Sequence, residues 1–347
     1  MTAMQNTSIK TGGPACPWRP WGAGTAATGT TPVRPGRHAF LVGLFALLLA
    51  VTSTACASRK MMVRAVGDVM AHGVAAFEKD DDLVLAEQAL PANIKLLEAL
   101  LESDPQNRQL LVLLARLYAS YSFAFVDGRI EAAELSGASS LSDGSSVAEA
   151  RKTALGYYRK GNAYALRAIA TRHPQALRQL VDPSTAEAFI RGLDREDIPA
   201  LFWYGFTLSA DINYNRDSIS ALGRLHVVEK TMQRVIDVDE AYFFGGAHLV
   251  LLGYYGSRSP LLGGKPEAAE DHYRRLVQMN GGGFRLADLT FARFVLYHRQ
   301  DRREFIAVMH RILQAEPAAE QRFRLYNGIA ANRARIYLDA VDRLFIE

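Results

Sequence analysis

The residues best able to do chemistry in this chain are not gathered at the spacings that chemistry needs. The 8 histidines are scattered, with no HExxH pair for zinc, and no GxSxG elbow presents a nucleophile. Gly264-Lys265 faintly suggests a phosphate loop. However, Ser259 stands where the first glycine of such a loop belongs, and Pro266 replaces the Ser or Thr that would hold magnesium. A repeat turn with proline at the first helical position explains those residues better. Cys16 and Cys56 both lie near the N-terminus, so the remainder has no thiol for a disulfide, a zinc site or a nucleophile. No catalytic residue, metal ligand or cofactor is expected. A hydrolase would lack a pairing of nucleophile and base.

The side chains better suited to binding are aromatic rings with polar neighbours. Trp203, Tyr204, Phe206, Asp211, Asn213 and Tyr214 share the most aromatic stretch of the chain, ALFWYGFTLSADINYN. Aromatic bodies with amide and carboxylate ends could line a concave apolar site with a few polar fixings. The competing reading is that Trp203 and Phe206 pack between helix layers while Asp211 and Asn213 cap the helix end. The same alternatives apply to His248, Tyr254 and Tyr255. Asn327, Asn332 and Arg333 fall on the last long helix, where two asparagines are costly in helix propensity. They either bond a neighbouring loop or face a channel.

Positioning these groups falls to helices. The stretch from Gly245 to Gly282 holds two apolar-faced segments, Ala247 to Tyr255 and Pro266 to Met279, around a turn with Pro260 and Gly263-Gly264. It reads as a helical hairpin of tetratricopeptide type with an overlong turn. Further segments of 3.6-residue period run from Met61 to Phe77, Leu83 to Leu101, Asn107 to Phe125 and Val147 to Thr171. Others run from Ser184 to Gly192, Ile219 to Ile236, Leu286 to Tyr297, Arg303 to Leu313 and Phe323 to Phe345. Ser184 and Glu187 have capping-box spacing, and SGASSLSDGSS at 136–146 reads as a surface loop. Strand-type alternation is nowhere convincing. The expected class is all-α, a tetratricopeptide-repeat-like array of helical hairpins forming an α-α superhelix.

Composition adds where the protein works. Net charge is +4, but Lys10, Arg19, Arg34 and Arg37 are the only charges before Cys56. The 40 basic residues less those four leave 36, against 36 acidic. Such a balance gives no basis for nucleic-acid binding. Residues 1–33 are rich in Gly, Thr, Pro and Ala without periodicity. Arg34 and Arg37 precede an apolar run from Ala39 to Val51, too short to span a bilayer but suited to a signal peptide. Ser53-Thr54-Ala55-Cys56 then resembles a bacterial lipoprotein signal, in which the cysteine is acylated and becomes the new N-terminus. The expected organisation is a leader and signal over 1–56, with Cys56 as lipid anchor, followed by a single helical domain over 57–347. Ala57, rather than Asp, after the cysteine points by that resemblance to the inner leaflet of the outer membrane.

Five segments occur in the same order as in a known family. They are ALPANIKLLEALLESDPQNRQLLVLLARLYASYSFAF, DIPALFWYGFTLSADIN, GAHLVLLGYYGSRSPLLGGKPEAAEDHYRRL, RQDRREFIAVMHRIL and LYNGIAANRARIYLD, spanning residues 89–339. Together they resemble the T component of tetratricopeptide-repeat-associated TRAP transporters. The resemblance implies a non-catalytic periplasmic lipoprotein that assembles as a homotrimer, each subunit holding a channel or cavity. It also implies as partner the TRAP-type periplasmic solute-binding subunit, and as ligand a small organic acid or hydrophobic molecule. The alternative is a generic repeat adaptor of the cell envelope with an open groove.

Overall fold

The structure is a computed structural model that describes residues 61–345, apart from 71, 74, 75, 77 and 315–320. Cys56 and the leader lie outside the described residues. The described chain is all helical, and no strand forms in it beyond an isolated bridge between Ser140 and Ser146 that pinches the 137–146 loop.

Helix α1 covers residues 61–70 of the described chain. Helix α2 (Leu83–Ser103) starts where Asp82 accepts the amide of Leu85 at 2.9 Å, and it buries Ala86, Leu90, Ile94, Leu97 and Leu101 at steps of three and four. It continues through Pro91 rather than ending there. Helix α3 (Arg108–Tyr121), capped by Asn107, runs through a π-helical turn at Ser122–Val126 into α4 (Asp127–Ser136). This 29-residue stretch, Arg108–Ser136, is long and apolar enough to cross a membrane by length and composition. Its apolar positions Leu110, Leu111, Leu114 and Tyr118 are nevertheless covered by protein, so it is the central helix of the core.

Helix α5 (Val147–Ala170), started by the Ser146–Glu149 capping box, lies between α3 and α8 (Ile198–Tyr214). Small residues make that fit possible. Ala154, Ala165 and Ala168 are fully covered, and a Cβ on Gly161 would stand 3.1 Å from the Ala115 carbonyl and 3.2 Å from Thr207. Between them lie α6 (Ala176–Val181) and α7 (Pro183–Arg191). The cap of α7 is Asp182 rather than Ser184, because the proline at the first helical position places Asp182 just outside the helix, where its carboxylate accepts the Ser184 amide.

The expected single helix from Ile219 is broken into α9 (Ile219–Leu222) and α10 (Leu225–Asp239) at Gly223-Arg224. The hairpin follows as α11 (Tyr242–Gly256) and α12 (Pro266–Asn280), with a 3-10 turn at Pro260–Leu262 in its insert. Helix α13 (Arg285–Phe291) passes through a second π-helical turn, Ala292–Leu296. Then come α14 (Arg302–Leu313), α15 (Arg324–Asp339) and α16 (Val341–Leu344).

Successive long helices are mostly neighbours, α2 on α3, α5 on α8, α8 on α10 and α11 on α12. The last long helix does not remain at the far end. Helix α15 packs on α13 and α14 and also reaches α4 and α2, where Leu83 fills the space beside Gly328. That return leaves a cavity between the first helices and the last.

Candidate ligand-binding site

The cavity has a volume of about 140 Å³. Its walls are overwhelmingly apolar: Leu90 and Leu97 of α2, Leu113 and Leu117 of α3, Phe123 and Phe125 of the first π turn. Trp203 and Phe206 of α8, Phe243 and Leu249 of α11, and Leu325 and Ile329 of α15 complete them. Because π turns shift the register of the side chains that follow, the Ser122–Val126 turn lets Phe123 and Phe125 both face this space.

Phe243 reaches the wall through unusual backbone. Phe243, Phe244 and Gly245 have φ of 49°, 60° and 79°, left-handed geometry that bulky residues rarely adopt. Surrounding contacts hold it. Phe243 packs at 5.0 Å on Trp203 and 5.4 Å on Phe202, Phe244 packs at 5.0 Å on Phe323, and Asn280 donates to the Phe244 carbonyl at 2.9 Å.

Asn93, Ser120 and one charged cluster interrupt the apolar lining. Arg116 of α3 pairs with Glu78 and lies 5.2 Å from the Phe243 ring centre, and the Tyr326 hydroxyl donates to Glu78 at 2.6 Å. Burial drives the Tyr326 phenol well above its ordinary value, so it is a stable donor. The pair cancels in charge, and the cavity presents a neutral polar end. Trp203 is fully buried on the wall, its indole beside the Tyr242 phenol.

Of the residues singled out from the sequence, only Trp203, with its neighbour Phe206, lines this cavity. Tyr204 is buried on another side of α8, its hydroxyl donating to the Leu180 carbonyl at 3.1 Å. Asp211 receives Arg159 Nε at 2.8 Å, and Asn213 is exposed. Tyr214 donates to Asp127 at 2.6 Å, alongside Tyr158 at 2.7 Å. Tyr255 donates to Glu229 at 2.5 Å, and Tyr254 reaches the other oxygen of the same carboxylate at 3.4 Å. Asn327 binds the loop before α13, accepting the Arg285 amide and donating to the Gly283 carbonyl, both at 2.9 Å. Asn332 is exposed.

Arg333 is 1% exposed, donates to the Phe123 carbonyl and lies 4.5 Å from the Phe123 ring. Its Nε is 3.4 Å from Glu131, which Arg293 also pairs, so the arginine braces the cavity wall from behind.

His248 belongs to a relay across the α11–α12 hairpin. Its Nε2 is 3.1 Å from Glu240, and its Nδ1 is 2.7 Å from His272 Nδ1. With Glu240 accepting from Nε2–H, His248 Nδ1 is the acceptor and His272 Nδ1–H the donor. Arg275, bonded twice to Glu240, holds that carboxyl down to about 2. Burial first, then the neighbouring His248, holds His272 down to about 4. Among the described residues no group of three or more His, Cys, Asp or Glu is arranged to hold a metal ion.

Glu78, Arg116 and Tyr326 were missed in the sequence. Arg116 did leave a signal: it is a charge in the middle of an otherwise apolar helical run, RQLLVLLARLYASY. A family model described as the TRAP transporter T-component matches residues 79–345. An uncharacterized protein of Treponema pallidum (strain Nichols) is 25% identical over 273 residues, covering 78% of this chain and 83% of the relative.

Proposed function

The chain belongs to the TRAP transporter T-component family, and from that premise we propose that it holds an apolar solute in its central cavity and passes it to, or receives it from, the periplasmic solute-binding subunit. The family is a transporter component, not an enzyme. The observation that carries the reading is the cavity of about 140 Å³, apolar on nearly every side and neutral at its polar end. Between an organic acid and a hydrophobic molecule, the geometry favours the second. A carboxylate would have to displace Glu78 from Arg116, whereas an apolar molecule leaves that pair intact.

In this reading the protein is a periplasmic lipoprotein, anchored through Cys56 at the inner leaflet of the outer membrane, and it works as a homotrimer. A generic adaptor that holds a peptide on an open face gives the cavity no role. The test is co-purification of the membrane-anchored protein with a TRAP-type solute-binding protein, followed by native mass spectrometry and organic extraction. A complex, with a bound apolar molecule released on denaturation, is expected. Failure to recover the solute-binding protein from membranes that contain it, together with an empty cavity, would sink the proposal.

A further inference from the structure

Helix α1 carries apolar residues on two opposite sides. Val63, Gly67 and Met70, at steps of four and three, turn toward the core: a Cβ on Gly67 would stand 3.2 Å from Leu110, and Met70 lines the apolar cavity. On the other side Met61, Met62 and Val69 are 72%, 64% and 71% exposed, and Ala65 between them is exposed too. At about 100° per residue these four fall within about 100° of the helix circumference, with Arg64 and Asp68 together on one flank. We propose that this outer stripe rests in the lipid surface of the membrane, so that α1 lies between the bilayer and the cavity it helps to wall.

The covalent chain says what covers the stripe. Met61 is five positions after Cys56, so even a fully extended connection keeps the start of α1 within about 18 Å of that cysteine. The inference therefore rests on the reading of Cys56 as the lipid anchor. An anchor so near holds the stripe at high effective concentration against the boundary of headgroups and acyl chains, where methionine and valine side chains leave water. Val84 and Leu85, at the start of α2, extend the exposed apolar surface in the part of the described chain nearest the anchor in sequence.

Charge sets the kind of lipid contact. Arg64 and Asp68 cancel on the flank, and Arg64 also lies 3.7 Å from Asp104. No polybasic patch is present on α1 to seek anionic headgroups, so apolar burial drives the docking.

The test uses the protein purified from membranes, with acylation of Cys56 read by mass spectrometry, in vesicles of phosphatidylcholine with and without phosphatidylglycerol. Processing removes Cys16 and acylates Cys56, so a cysteine introduced elsewhere is a single site for a nitroxide spin label. Labels are placed at Val69→Cys and Met62→Cys on the stripe, and at Lys152→Cys, exposed on α5, as the aqueous reference. The ratio of collisions with oxygen to collisions with a water-soluble nickel chelate should be severalfold higher at both stripe positions than at the reference, and equal in the two kinds of vesicle. Two stripe positions keep the result from depending on one variant's fold. A water-like ratio at both, in protein whose mass shows the acyl chains, would overturn the docking face and leave the anchor standing. Spin–spin broadening between copies with a water-like ratio would overturn it in favour of a second copy of the chain, and lipid contact confined to vesicles with phosphatidylglycerol would overturn the apolar mechanism. A mass without acyl chains would overturn the anchor and the docking face together.

Discussion

Replacing His272 by glutamine should change how stability depends on pH far more than it changes stability itself. In the folded protein His272 titrates at about 4, against an ordinary value of 6.5, because burial and His248 oppose its charge. The unfolded chain therefore binds the proton first as pH falls. Stability is fully present above about pH 6.5 and is lost progressively as pH falls toward about 4. At roughly 1.4 kcal/mol per pH unit, the loss reaches about 2.5 kcal/mol at about pH 4.5. Glutamine has no proton to take up, and its amide can still donate to His248 Nδ1, so near pH 7.5 the variant should lie within about 1 kcal/mol of the parent. Urea unfolding followed by circular dichroism, with both proteins run in parallel from about pH 7.5 to about 4.5, measures the difference. The variant should gain about 2.5 kcal/mol on the parent across that range. A difference that stays constant with pH would refute the argument and show that the hairpin accommodates the imidazolium.

Three further substitutions test other parts of the fold. Arg333→Met removes a buried cation beside Asp127 and Glu131 and the donor to the Phe123 carbonyl, so it should cost about 3–5 kcal/mol in urea unfolding. Gly205→Ala places a Cβ 2.6 Å from Thr231 and 2.7 Å from Met232. It should force α8 from α10 at a cost of about 1–3 kcal/mol, read as a lowered melting temperature. Asn280→Ala deletes the donor to the Phe244 carbonyl and should cost about 1–3 kcal/mol, with faster amide exchange at 243–246 as the local signature.

Much of the helical order was legible because burial imposes a period. Ala86, Leu90, Ile94, Leu97 and Leu101 announce α2 without help from tertiary structure. What the period could not carry were interruptions made by tertiary contacts. The apolar pattern continues across both π turns and across Gly223-Arg224. Nothing in Tyr242-Phe243-Phe244 signals left-handed backbone, which the packed rings and Asn280 enforce. Trp203 was found because aromatic residues cluster locally in sequence. The polar end of the cavity was not, because Glu78 and Tyr326 are 248 residues apart. His248 was suspected without its partner, since His272 looks like any residue on a solvated helix face until α12 folds against α11.

That span between Glu78 and Tyr326 bears on the order in which the molecule is made. Bringing the ends of so long a segment together costs about 5 kcal/mol of chain entropy by the logarithmic rule, before any constant. Neighbouring helices along the stack face no such cost and can dock as each pair is completed. The binding cavity is therefore the last feature to exist, and it appears when α15 closes onto α2 and α4. A nascent or truncated chain lacking that helix could contain nearly every helical pair and still have nowhere to put a ligand.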